Sequence, residues 1–495
     1  MAEEEKKAEK EAAAPEAPAS ETDLLDRIVE ASRIKPGDSG YDATKAGLEA
    51  FLAELIQTDP DAKISSQLVD DMILELDKKL TKQMDLILHD ETFRKLESSW
   101  RSLKYLVDQT DFRQNNRVEF INLSKEDLLN DFQDSPEIVK SGLYKHVYTA
   151  EYGQFGGKPF SSIISDYDFG PGPRDMELLR YAAQVAAMSH APFIGAASES
   201  FFGIKSWQEL PNLKDIHSIL EGPQYAAWRS FRENEDARYV GLTMPKFLLR
   251  LPYGQDTVPV KSFNYREKAD NLDEFSWGNT SFAFASRLAD SFAKYRWNTN
   301  VIGPQGGGAV ENLPLYHFEE KGSLQTRIPT QTMISERREF ELAEEGFMAL
   351  TMRKDSDNAA FFSANSALAP KIFPNTPEGK IAETNYKLSC QLPYMYVMNR
   401  LAHYVKVMQR ENIGTWKSRT DLERELNKWI SRYVTEMDNP DPTTRSKRPL
   451  RAAEIIVSDV EGDPGWYAVS IKATPHFKYM GANFTLSLTG KLDKT

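Results

Sequence analysis

The chain has 495 residues, 40% hydrophobic and 27% charged, an ordinary globular composition with room for more than one domain around a sizeable core. Its net charge of −13 argues against nucleic acid or an anionic membrane as the main partner, and no apolar run is long enough to span a bilayer. The single cysteine, Cys390, excludes an intramolecular disulfide framework and a cysteine-rich zinc site, and the polar N-terminus carries no secretion signal, so a soluble cytoplasmic protein is expected.

Residues 1–20 are low-complexity Glu, Lys, Ala and Pro, too polar to fold alone, and read as a disordered acidic tail. In "SETDLLDRIVEASRI", Ser20 and Asp23 match the S-x-x-D form of a capping box. Leu24, Leu25, Ile28 and Val29 then form an apolar stripe at helical spacing, which predicts an exposed amphipathic helix over 21–35. Bounded by the tail and by "KPGDSG", it reads either as a detachable peptide or as a first helix docked on its own domain.

Over 41–115 the pattern is helical, first through Leu48, Phe51, Leu52, Leu55 and Ile56. A second row runs through Ile64, Leu68, Met72, Leu76, Leu80 and Met84, and a third through Phe93, Leu96, Trp100, Leu103 and Leu106. These helices predict a helical subdomain. Over 116–375 the period changes repeatedly. "RVEFINLS", "FSSIISDYDF", "APFIGAAS" and "VGLTMPKFLLRLPY" read as strands, and "PRDMELLRYAAQVAAMSHA" and "SWGNTSFAFASRLADSFAKY" as helices, the alternation of an α/β domain. The segment from Ile328 to Leu368 is mixed.

Residues 376–495 form the predicted C-terminal domain. "AETNYKLSCQLPYMYVMNRLAHYVKVMQRENIG" is helical in its second half, and "TDLERELNKWISRYVTEMD" is a helix with Thr420 and Glu423 as its capping box. Leu422, Leu426, Trp429, Ile430 and Tyr433 make its buried face. Arg424, Lys428 and Arg432 make a basic row on another face, solvated or paired in the usual case. Three strands follow, "RAAEIIVSDV", "GWYAVSIKATP" and "FKYMGANFTLSLTGKL", with a turn signal at Asp463, Pro464 and Gly465 between the first two. The fold class is therefore mixed α/β, multi-domain, with a helical N-terminal part and a C-terminal domain ending in strands.

Chemistry is hard to find. Gly303 and Gly308 in "VIGPQGGGAVENLPLY" have phosphate-loop spacing, but Ala309 and Val310 stand where Lys and Ser/Thr would follow. The seven histidines are scattered, with no H-E-x-x-H, and His317 beside Glu319 and Glu320 reads as structural or solvated. Cys390 sits in an apolar context that favours an inert thiol, and Ser198 in "GAASES" lacks the second glycine of a nucleophile elbow. No catalytic, cofactor or metal residues are assigned. Gly306, Gly307 and Gly308 are expected to permit a tight positive-φ turn.

"HDETFRKLESSWRSLKYLVD", "SFFGIKSW", "IGPQGGGAVENLPLY", "QLPYMYVMNRLAHYVKV" and "HFKYMGANFTLSLTGKLDK" together resemble the large sheath subunit of the bacterial type VI secretion apparatus, the TssC/VipB family, over nearly the whole chain after the tail. The resemblance implies a non-catalytic, cofactor-free subunit, with the helical subdomain over 41–115 as its outer part. It would pair with a small sheath subunit (TssB/VipA-like) and stack with copies of itself as a helical tube around an inner tube protein (Hcp-like). Contraction would drive the inner tube outward. A baseplate and a recycling ATPase (ClpV) complete the implied partners. Under it, the terminal strand with Phe477, Tyr479, Phe484, Leu486 and Leu488 would join strands of neighbouring subunits. Leu24, Leu25, Ile28 and Val29 would be the ATPase-recognition face, and Arg424, Lys428 and Arg432 would touch the inner tube. The rival expectations are a nucleotide-dependent hydrolase using the glycine-rich loop and a soluble monomeric binding module.

Overall fold

The computed structural model describes residues 46–47, 50, 66–320, 322–354, 356–437, 440–460 and 467–476. The acidic tail, the helix carrying Leu24, Leu25, Ile28 and Val29, the row from Leu48 to Ile56, the turn at Asp463 to Gly465 and the strand carrying Phe477, Tyr479, Phe484, Leu486 and Leu488 all lie outside the described residues. The chain divides into two units, 1–80 and 81–495. In the first, the described part is essentially the start of helix α1 (Ser66–Leu88), where Ile73, Leu76 and Leu80 are exposed.

The second unit opens with α2 (Glu91–Asp108), capped by Asp90, whose carboxylate accepts from the Thr92 and Phe93 amides at 3.0 Å. It continues through α3 (Lys125–Asp134), β1 (Ile163–Phe169), α4 (Pro173–Ser189), β2 (Phe193–Ala197), α5 (Ala226–Glu233), β3 (Val240–Met244), β4 (Phe247–Leu248), β5 (Trp277–Gly278) and α6 (Thr280–Tyr295). Then come β6 (Ala309–Val310), β7 (Tyr316–Glu320), β8 (Ser323–Arg327), α7 (Glu336–Glu344), β9 (Phe347–Met352), β10 (Ala359–Phe361), α8 (Pro377–Ser389), α9 (Leu392–Glu411), α10 (Arg419–Ile430), β11 (Leu450–Asp459) and β12 (Tyr467–Pro475).

Six strands form the main sheet in the order β1-β2-β3-β9-β10-β6. The first four run parallel, and β10 and β6 close the far side antiparallel. Parallel strands are covered on both faces, so they read as continuous apolar runs; every residue of β2 and β3 is buried. Side-chain alternation sends Phe193, Leu242, Phe347 and Ala349 into the core with α4. Ile194, Met348 and Leu350 go to the other face, into the core with α6. Two strand glycines are required by this packing: a Cβ on Gly195 would sit 2.6 Å from the Phe169 ring, and one on Gly241 2.7 Å from Met348 Cε.

The expected strand "RVEFINLS" is not one. Residues 117–124 pair with no strand, and Phe120 and Ile121 are exposed. Val118 instead packs on Leu106, Phe282 and Ala285 between α2 and α6, and the Tyr167 hydroxyl donates to the Leu123 carbonyl at 2.7 Å. Alternation supplied the residues, but side chains occupy the place of a partner strand. The segment before Cys390, where no helix was expected, is α8. Thr376 caps it and Pro377 begins it, while its only buried residue is Gly379, so no apolar stripe announces it.

A buried ion network fixes α2. Arg250 donates to Glu97 and Glu267 at 2.6 Å each, and all three side chains are at most 10% exposed. Removing one partner would leave a buried charge uncompensated.

Helix α9 belongs to two cores. Leu392 and Tyr396 enter the α6-side core of the main sheet. Val397, Leu401 and Val405 enter the C-terminal core with Leu426, Ile430, Leu450, Ile455 and Val457. Between them His403 is buried, and its Nε2 donates to the Ser189 carbonyl at the end of α4 at 2.9 Å. Burial pushes His403 from its ordinary 6.5 down to about 4.

Two outcomes follow from this packing. Gly195→Ala should lower stability by about 1–3 kcal/mol through overpacking, read as a fall in thermal midpoint, with partial recovery when Phe169→Leu is added. For His403 the unfolded chain binds the proton more readily than the folded one, so its contribution is lost as pH falls from 6.5 towards 4. Asp166, raised to about 6 by burial, acts with opposite sign as pH rises through 4 to 6. His403→Leu should therefore flatten the acid side of the stability profile relative to wild type, measured by denaturant melts from pH 7 to pH 4.

Candidate functional site

The C-terminal region carries the features that bear on assembly. β11 and β12 form a two-stranded antiparallel sheet, paired from Asp459 with Tyr467 to Leu450 with Pro475. One face is apolar: Leu450, Ile455 and Val457 are buried against Leu426 and Ile430 of α10, with Val469, Ile471 and Ala473 half-buried around them.

Side chains and a neighbouring loop close the outer edge of β11. Asn427 of α10 donates its amide to the Ile455 carbonyl at 2.7 Å and accepts from the Ile455 amide at 2.9 Å. Glu423 accepts from the Val457 amide at 3.2 Å. Lower down, the Thr435 amide donates to the Leu450 carbonyl at 2.9 Å. The outer edge of β12 is different. Among the described residues no strand pairs with it along Tyr467–Pro475, and its side chains alternate between half-buried and exposed. An unpaired edge of this length is a template for another strand.

α10 starts differently from the sequence reading. Its cap is Ser418 with Asp421, which exchange backbone-to-side-chain hydrogen bonds, rather than Thr420 with Glu423. Hydrogen bonds from Ser418 hold the Asp421 carboxyl below the usual carboxylate range. Glu423 is drawn away to β11, which is why it cannot reach back to the helix start.

The row Arg424, Lys428 and Arg432 is exposed, as the spacing implies. Arg424 lies 3.8 Å from Asp421. Lys428 and Arg432 make no ion pair among the described residues, and Arg432 stands on the short 3-10 turn Ser431–Tyr433 beyond the α-helix.

The glycine-rich loop has a structural account. Gly303 and Gly307 have positive φ, 74° and 99°, whereas Gly306 and Gly308 do not. Those two are required by proximity: a Cβ would lie 2.4 Å from the Ile302 carbonyl oxygen at Gly306 and 2.7 Å from that of Phe361 at Gly308. The Gly303 amide donates to Phe361, and the Gly306 and Gly308 amides donate to Gly303. These three donors are thereby occupied, and none is aimed outward to hold a phosphate. Nearby chemistry is equally quiet. Cys390 is buried with its thiol pushed up to about 11 by desolvation, His317 bonds Thr326 at 2.9 Å, and Ser198 bonds Ser200 at 2.6 Å. Among the described residues no group of His, Cys, Asp and Glu could hold a metal ion, and no helix is long and apolar enough to cross a membrane.

Asn427 was not singled out from the sequence. A polar residue in mid-helix ordinarily points to solvent, and only knowledge of the strand beside it reveals the role. Asn427→Ala should strand the amide and carbonyl of Ile455, cost about 1–3 kcal/mol and raise hydrogen exchange at Ile455 and Val457 above that at the sheet core.

Residues 70–368 match the family described as EvpB/VC_A0108, tail sheath N-terminal domain, and residues 381–492 match the EvpB/VC_A0108 tail sheath gpW/gp25-like domain. The "Type VI secretion system sheath protein TssC1" of Pseudomonas aeruginosa is 41% identical over 430 residues, covering 86% of each chain. A chain in the cryo-EM structure of the anti-feeding prophage (AFP) baseplate aligns at a TM-score of 0.34 and 7% identity, over 63% of this chain and 65% of that one, too distant to support any argument. The two matched segments and the extensive identity establish that the chain belongs to the EvpB/VC_A0108 tail sheath family, the large sheath subunits of type VI secretion.

Proposed function

We propose that the chain works by assembly and movement, as a cytoplasmic structural subunit of a contractile tube, and not by catalysis. The family supports a sheath partner and a helical assembly. The observation that carries the rest is the edge asymmetry of the C-terminal sheet: β11 is closed by Asn427 and Glu423, while no described strand pairs with the outer edge of β12. Strand addition there would join this subunit to a small TssB-like subunit and to neighbouring copies through backbone hydrogen bonds, which hold while domains rotate. The segment from Phe477 onward, with Tyr479, Phe484, Leu486 and Leu488, is the candidate strand this chain lends in return.

The basic row suits the inner tube. Exposed ion pairs are worth only ~0–1 kcal/mol each, weak enough to release as the sheath contracts. The helix with Leu24, Leu25, Ile28 and Val29 is the candidate grip for a recycling ATPase (ClpV-like), by its apolar stripe. The baseplate would supply the first ring on which copies stack. A nucleotide-hydrolase reading is disfavoured by the occupied amides of the glycine loop.

Co-expression with the small subunit should give hollow tubules in electron micrographs, and removal of residues from Phe477 onward should abolish them. Tubules in both samples would refute the strand exchange while keeping the sheath. In full-length protein, charge reversal of Arg424, Lys428 and Arg432 to Glu should leave tubules intact and release the inner tube protein, with wild-type co-purification declining as salt rises. Unchanged co-purification would move the tube contact elsewhere.

A further inference from the structure

Two features have no partner among the described residues. The first is Trp416, on the turn between α9 and α10. It is 104% exposed, and Ile413 beside it is 80% exposed. The turn is braced, not loose: the Thr415 amide donates to the Asn412 carbonyl at 3.1 Å, and Lys417 Nζ donates to the Asn412 side chain at 2.8 Å. The cations flanking the indole are tied down, Lys417 to Glu425 at 2.5 Å and Arg419 to Asp459 at 3.7 Å. The turn therefore presents a large aromatic face whose following cations, Lys417 and Arg419, are both paired.

The second feature is a cavity of about 490 Å³ farther back along α9, lined by Asn115 together with Phe292, Arg296, Trp297, Arg400, Tyr404 and Tyr433. The Arg400 guanidinium lies 5.0 Å from the Phe292 ring centre and 5.1 Å from that of Tyr404. Its Nε is buried without a hydrogen-bond partner, and it makes no ion pair among the described residues. A cation held between aromatic faces, with open space beside it, is complemented by another aromatic face.

We propose that Trp416 of one copy seats in this cavity of the next copy, stacking against Arg400. The inference rests on the sheath reading and adds a specific joint to it. Knob and hole lie on different parts of the same chain, so the contact can repeat head-to-tail from copy to copy. A head-to-tail contact whose rotation does not close propagates as a helix, the assembly a sheath requires. An aromatic anchor in a desolvated pocket is also the commonest form of an energetic hot spot.

The test uses the full chain co-expressed with its small subunit. Trp416→Ala and Arg400→Gln should each reduce tubule number roughly tenfold or more, the loss expected for a hot-spot anchor. The heterodimer should still purify, and Trp416→Phe should retain assembly. In a second measurement, Trp416 is replaced by photoreactive p-benzoylphenylalanine, and this variant is doped sparsely into heavy-isotope wild-type chains so that tubules form. Cross-links should map from the light chain to cavity residues of a heavy chain. Wild-type tubule yield from Trp416→Ala, or cross-links to the small subunit, the inner tube or another surface, overturns the inference and leaves the sheath reading standing. Absence of tubules from the wild type itself overturns the sheath reading, and this inference with it.

Discussion

A two-stranded sheet has two outer edges, and their backbone groups need partners. This chain treats its two edges in opposite ways. A helix lends an amide and a carboxylate to one, through Asn427 and Glu423. The other, along β12, has no strand partner among the described residues. The placement of α10 follows from that division: it lies beside β11 with Glu423 and Asn427 on the strand, and its basic row is left exposed. The apolar contacts of Leu426 and Ile430 hold the helix there, but the hydrogen bonds fix its register against the strand.

The large body of the subunit was legible wherever burial dictated the pattern. β2 and β3 are continuous apolar runs because both faces are covered, and the helices α4 and α6 that cover them have clear stripes. Legibility failed where a partner, not a period, decides. The residues 117–124 alternate like a strand yet pack by side chain between two helices. α8 buries almost nothing and so writes no stripe. The capping box of α10 moved to Ser418 and Asp421 because Glu423 had a second suitor in β11. β9 and β10, within a stretch that read only as mixed, are recognisable once β3 supplies the neighbouring edge.

Of the candidate site, the exposure of one row was legible and the geometry of the glycine loop was not. The row Arg424, Lys428 and Arg432 is where its spacing put it, on the surface. The glycine-rich loop illustrates the limit of motif reading: of its glycines only Gly303 and Gly307 adopt positive φ, and the other two are needed because backbone carbonyls press against them. Sequence can count glycines but cannot tell a turn from a close approach.

Helix α9 has one further consequence. Its first turns are embedded in the core of the main sheet and its later turns in the core of the C-terminal hairpin, with His403 pinned to the end of α4. The two cores thus share a single axle. A displacement of the hairpin core is passed along that axle to the main sheet, so a load placed on either core is felt by the other.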